Sequence, residues 1–160
     1  NRRLLDRDGR GVRGELLVAR LEALGFRSVA GIDAGAPGRL VTEVYPHAAM
    51  VGIFGLARTL KYKARPGRGD AERAAAWRRY QELLGGLAEG DPPLRGQEEL
   101  LAIDTAALRG RALKAYEDRV DSLTCAYIAL YAHRWGARRC HVFGDMASGT
   151  IFTPVPGSLW

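Results

Sequence analysis

Cysteine is scarce in this chain, with Cys125 and Cys140 the only two among 160 residues. That number excludes a disulfide framework. The lack of a Cys-x-x-Cys pair or of a Cys/His cluster at zinc spacing excludes a structural zinc module. Both cysteines lie in apolar stretches and read as small core residues of a protein kept reduced, in the cytoplasm. Long hydrophobic runs are missing as well. The longest nearly uncharged stretch, Ser122 to Ala132, is about half the ~20 residues that a bilayer span needs, so no membrane partner is expected. The opening Asn1-Arg2-Arg3-Leu4-Leu5 has no apolar signal core, and the missing initiating Met suggests that residues once lay upstream. Neither a Gly-x-Ser-x-Gly elbow nor a phosphate loop occurs, which removes two common catalytic designs. What is present suits a soluble globular chain. Hydrophobic residues make 47% and charged ones 26%, enough to bury one core, and residues 1–160 are read as a single domain.

The net charge of +6 is concentrated. Between Arg58 and Arg79 lie Arg58, Lys61, Lys63, Arg65, Arg68, Arg73, Arg78 and Arg79, opposed only by Asp70 and Glu72. Elsewhere acids and bases cancel. Within this stretch Pro66, Gly67 and Gly69 forbid a regular helix. Lys61, Tyr62, Lys63, Arg65 and Arg68 therefore fall on a loop, where the cations can neutralise phosphates and Tyr62 can stack a base. The same loop also suits a solvated surface kept basic for solubility.

Periodicity gives an α/β order of elements. A helix is expected over Glu15 to Leu24, ended by Gly25, and 28–38 reads as a short strand or loop. Arg39 to Tyr45 alternates and is rich in β-formers, which predicts a strand. Pro46 suits the first turn of a helix running to Phe54, with Gly55 as its stop. Asp70 is placed to cap a helix reaching Leu84 or Leu87. A helical piece around Gln97 to Leu108 follows, then a long helix Arg111 to Trp135. A hairpin closes the order, with strands Cys140 to Phe143 and Thr150 to Thr153. So few strands rarely make a buried sheet, so another chain or an upstream segment is expected to complete it.

The carboxylates carry the chemistry. At about 100° per residue, Glu117, Asp118 and Asp121 share one arc of the long helix beside its apolar stripe. Three acids on one arc repel unless a cation sits among them, and Mg²⁺ or Mn²⁺ is one such cation. Salt bridging with Lys114 is the plainer alternative. Glu43 stands between Val41 and Tyr45 on the predicted strand face, at the carboxyl end where ligand sites of α/β sheets gather, and an edge strand with Glu43 in water is the equal alternative. His47, His133 and His141 share no spacing and read as structural or surface groups.

Thr42-Glu43-Val44-Tyr45-Pro46-His47-Ala48, Leu60-Lys61-Tyr62-Lys63, Tyr116-Glu117-Asp118 with Asp121-Ser122-Leu123-Thr124, and Val142-Phe143-Gly144-Asp145 occur in that order. Over about residues 39–154 this series resembles the RNase H-like nuclease family also designated domain-of-unknown-function family 429. The resemblance implies an RNase H-like fold, a mixed sheet flanked by helices, with acids on strands and a late helix holding divalent metals for phosphodiester hydrolysis. Glu43 matches the acid before the family's Tyr-Pro-His turn, and Asp118 and Asp121 match the acids of its late helix. Gly31-Ile32-Asp33 imitates the motif of the family's first strand, but only about ten residues separate Asp33 from Glu43. Two antiparallel strands do not fit between them, so Asp33 is read as a loop residue and the N-terminal meander as partly or wholly missing.

The leading expectation is divalent-metal-dependent phosphodiester hydrolysis. Glu43, Asp118 and Asp121 would serve as catalytic and metal-ligating residues for Mg²⁺ or Mn²⁺, while Lys61, Tyr62, Lys63, Arg65 and Arg68 hold a nucleic acid or other phosphoester. The alternative is a nucleic-acid or nucleotide-binding module on the same fold without catalysis. A third is an assembly domain whose basic loop meets an acidic protein.

Overall fold

A computed structural model describes residues 12–157. Helix α1 (Arg13–Ala23) ends as Gly25 turns the chain at φ 84°, its N–H and that of Phe26 donating back to the Glu22 and Leu21 carbonyls. No residue of α1 is buried, and Leu16, Leu17 and Leu24 of its predicted apolar face are exposed. Strand β1 (Arg27–Ser28) then pairs in parallel with β2 (Leu40–Val41). Asp33 lies in the loop between them, as expected, and is exposed.

The predicted strand Arg39 to Tyr45 is thus cut to two residues. Its residues still run extended, Tyr45 having φ −128° and ψ 103°, but most find no ladder. β-propensity fixes a backbone shape, and the partner strand decides whether a sheet forms. The segment instead leans on the C-terminal hairpin, β3 (Cys140–Asp145) with antiparallel β4 (Gly149–Pro154), where Phe152 N–H donates to the Glu43 carbonyl at 2.9 Å. The class is α/β, but two separate two-stranded sheets stand where one mixed sheet was expected. The hairpin strands run longer than expected because Asp145 accepts from Ala147 and Ser148 N–H, tightening the turn to three residues.

Helix α2 (Pro46–Phe54) starts on its proline and stops at Gly55 in the left-handed region, φ 61°. It lies so close to β4 that a Cβ on Gly52 would collide with the Pro154 carbonyl oxygen. Helix α3 (Asp70–Gly86) is capped by Gly69 rather than by Asp70. Asp70 falls one position inside the helix, where its carboxylate meets Arg73 at 2.8 Å. The expected helix Gln97 to Leu108 breaks into α4 (Glu98–Leu101) and a 3-10 turn (Thr105–Ala107). Asp104 divides them, its side chain accepting from Ala106 N–H and offering the backbone an alternative to the helix.

The 26 residues of α5 (Gly110–Trp135) form the backbone of the core. Leu113, Tyr116, Val120, Tyr127, Ile128 and Tyr131 are buried along one side of it. Trp77 and Tyr80 of α3 face them, and Tyr62 joins from the basic loop, its ring 4.6 Å from Trp77 and 4.9 Å from Tyr80. Burying rings of this size contributes strongly to stability, and their tilted contacts add about 0.5–1.5 kcal/mol per pair. The loop that carries the charge is thereby anchored by its aromatic residue.

Candidate anion-binding groove

Tyr62 has no exposed surface. Neighbouring cations on the loop, spaced two apart, stay outside while Tyr62 points in, as alternation along extended chain requires. The expectation that Tyr62 stacks a base is therefore corrected: both its faces are spent on Trp77, Tyr80 and His47. Its hydroxyl donates to Asp121 Oδ1 at 2.8 Å, and Lys63 Nζ reaches Oδ2 at 2.7 Å. Burial, with Tyr80 and Asp121 close by, holds the Tyr62 phenol far above its ordinary value, so it remains a neutral donor.

The other cations line a groove of about 370 Å³ formed by the loop and the start of α2. Lys61, Lys63, Arg65 and Arg68 line it together with Thr59 and Leu60 before them and Tyr45, His47 and Ala48 at the start of α2. No acid is among these lining residues. Lys61 is drawn outward to Glu72 at 3.5 Å, both side chains half-exposed, a pair that water screens. Arg68 donates to the Lys63 carbonyl, which fixes the loop's curvature. Arg65 has no acid within ion-pair reach among the described residues. By contrast, a smaller hollow of about 190 Å³ at the start of α3 has Asp70 between Arg73 and Arg109, which leaves a net charge of only one.

His47, expected as a structural or surface group, forms part of the groove wall. It is stacked between Tyr45 at 5.4 Å and Tyr62 at 5.2 Å. Burial, then the charge of Lys63, lowers its pKa, so the ring is neutral at neutral pH. The sequence signal for this role is the position of His47 directly after Pro46, at the first turn of α2.

The three acids expected to form a metal site go to three different surroundings. Glu43 is exposed just beyond β2. Asp118 turns to solvent and meets Lys114, while Asp121 is held by Tyr62 and Lys63. Lys63 supplies the neutralising charge that a divalent ion would bring. Among the described residues no three His, Cys, Asp or Glu side chains gather as a possible metal site. As arranged, these residues do not fit a shared Mg²⁺ or Mn²⁺. The acid that shares the inner side of α5 with Asp121 is Glu117, one turn earlier. Its side chain is 7% exposed, with Lys114 at 3.8 Å. Burial raises its pKa against the opposing pull of Lys114, Lys63 and the Ala64 N–H. An i, i+4 step is the spacing that finds this acid, because it keeps two residues on the buried side of a helix more closely than the Asp118–Asp121 step does.

These features define an α/β domain with a basic groove backed by carboxylates on its longest helix. The family model described as protein of unknown function (DUF429) matches residues 3–146, and the chain belongs to that family. The match takes in residues 3–38, ahead of the segment on which the sequence resemblance rests. No curated protein and no solved structure matches the chain at a significant level. No helix among the described residues is long and apolar enough to cross a membrane.

Proposed function

We propose that this domain binds a phosphate-bearing ligand, a nucleic acid or nucleotide, in the groove between the basic loop and α2. The observation that carries the reading is a concave surface lined by four cations and no acid. Lys63 is paired with Asp121 and Lys61 with the exposed Glu72, so Arg65 and Arg68 are the charges that an anion in the groove would neutralise. The loop is fixed beforehand by the burial of Tyr62 and by the Lys63–Asp121 pair, so binding does not have to order it. An RNase H-like architecture, implied by the family resemblance, belongs to the same proposal.

Phosphodiester hydrolysis is a second reading, and one observation favours it. Glu117 is a buried acid with a raised pKa, one helical turn from Asp121 and close to the same loop. Acids perturbed in this way are candidates for proton transfer.

Fluorescence anisotropy with a labelled oligonucleotide tests the binding. Arg65→Ala or Lys61→Ala should weaken it for all sequences alike. Each should also lower the log–log salt slope by about 0.7 for every phosphate of a single strand that is no longer neutralised. Replacing Lys61, Lys63, Arg65 and Arg68 together should remove about 3 units of slope. Binding unchanged by these substitutions would sink the proposal.

A further inference from the structure

The groove wall is aromatic as well as basic. Tyr45, His47 and Tyr62 form a column of three rings, with interplanar angles of 23° between the first two and 16° between the second two. The column rises from the core to the surface: Tyr62 is fully buried, His47 partly buried, and Tyr45 is 49% exposed. Both faces of His47 are covered by its neighbours. Tyr45 has a neighbour on one face and ends the column, so a further flat ring can extend it there.

The backbone of Tyr45 is also restricted. It precedes Pro46, and the proline ring restricts the preceding residue to extended backbone, which is the conformation found, φ −128° and ψ 103°. The position therefore presents a large exposed aromatic, stacked on His47, beside three cations that face no buried acid. Aromatic faces of this kind hold unpaired bases regardless of sequence.

We infer that Tyr45 is a stacking platform and that the ligand unit is an unpaired nucleotide, its base on Tyr45 and its phosphates among Lys61, Arg65 and Arg68. This rests on the phosphate-binding reading above and adds the base to it. The volume of about 370 Å³ is at the small end of ligand sites and suits one nucleotide. A base already paired within a duplex has no free face to offer. The shared chemistry, one base with more than one phosphate, comes either from a single strand or from a free nucleoside bisphosphate.

The test compares four probes on the purified chain: a short oligothymidylate, an abasic oligonucleotide of equal length, the corresponding duplex, and thymidine 3′,5′-bisphosphate. Oligothymidylate should bind roughly 10-fold more tightly than the abasic strand or the duplex, the size of effect expected for one base on one aromatic ring. Tyr45→Ala should erase that preference, and Tyr45→Phe, which keeps the ring, should retain it. Bisphosphate binding that also falls in Tyr45→Ala would identify a free nucleotide as ligand. Dependence on Tyr45 for the strand alone would identify a single strand, and either result supports the platform. Equal binding of oligothymidylate and abasic strand, both weakened by Arg65→Ala, would overturn the platform and leave phosphate binding standing. Binding of neither would remove both readings.

Discussion

Tyr62 and Asp121, 59 residues apart in sequence, are joined by a 2.8 Å hydrogen bond that fastens the basic loop to α5. The phenol enters the core to make this bond, and Lys63 closes over the other carboxylate oxygen. Hydrogen bonds to a charged group are worth about 1.5–3 kcal/mol, and a buried donor left without a partner costs a similar amount. Tyr62→Phe should therefore lower stability in urea denaturation by ~2 kcal/mol. Asp121→Ala should cost at least as much, because it strands both the hydroxyl and Lys63. The double variant should lose less than the sum of the two. Simple additivity would mean that the bond does not stabilise the fold.

Glu117 and His47 set opposite pH responses. The Glu117 pKa is raised in the folded state, mainly by burial, so the folded protein binds a proton more readily than the unfolded chain does. Its contribution is fully present below the ordinary 4.5 and is lost as pH rises through the folded value. Glu117→Gln should consequently be more stable than the parent at neutral pH, with the gain shrinking as pH falls through the folded value and gone below 4.5. His47 is lowered instead, so its unfolded form takes up protons first, and stability falls as pH drops below 6.5 toward the folded value. A His47→Gln variant should lack that component in thermal melts recorded across the range.

Helices α2 and α5 were legible in the sequence because their ends are written in single residues, whereas the expected helix from Gln97 was broken by Asp104. Pro46, Gly55 and Gly136 bound α2 and α5 as the pattern predicts. Strand extent was less legible, since Arg39 to Tyr45 alternates correctly but pairing depends on a partner supplied elsewhere. Charge alone identifies the basic loop, whereas it does not identify the anchor. Tyr62 among four cations looks like a ligand-binding ring, and only the packing of Trp77 and Tyr80 against it reveals a core residue. For the acids, the arc on α5 is where periodicity puts it, but a ~100° arc includes both the buried Glu117 and the solvent-facing Asp118. Lys114 reaches both, as the i, i+3 and i, i+4 spacings allow, and only the packing of the loop over Glu117 tells the buried acid from the exposed one.

Gly52 tests how closely α2 must approach β4. An added Cβ would run into the Pro154 carbonyl and lie 2.8 Å from the Val155 nitrogen, both backbone atoms that cannot turn aside. Gly52→Ala should cost about 1–3 kcal/mol, the range for overpacked interiors, and should loosen the groove wall that α2 carries. Gly85→Ala, inside α3 with nothing within 4 Å of the new methyl, serves as control and should match or slightly exceed the parent. Equal melting temperatures for the two would show that the packing there yields easily.

The question of metal turns on Lys63. Asp121 has both carboxylate oxygens engaged, by a phenol and by an ammonium, and Glu117 stands one turn away in a buried position. A divalent ion approaching these oxygens must first displace Lys63, whose charge repels it. The parent chain should therefore show little change in melting temperature on adding Mn²⁺. Lys63→Met removes the ammonium while keeping much of its bulk, leaving two carboxylates at i, i+4 that repel each other unless a cation arrives. In that variant Mn²⁺ should raise the melting temperature, and adding Asp121→Asn should cancel the rise. A strong Mn²⁺ effect on the parent, abolished by Asp121→Asn, would show instead that the ion displaces Lys63 unaided and would favour metal-assisted hydrolysis over binding alone.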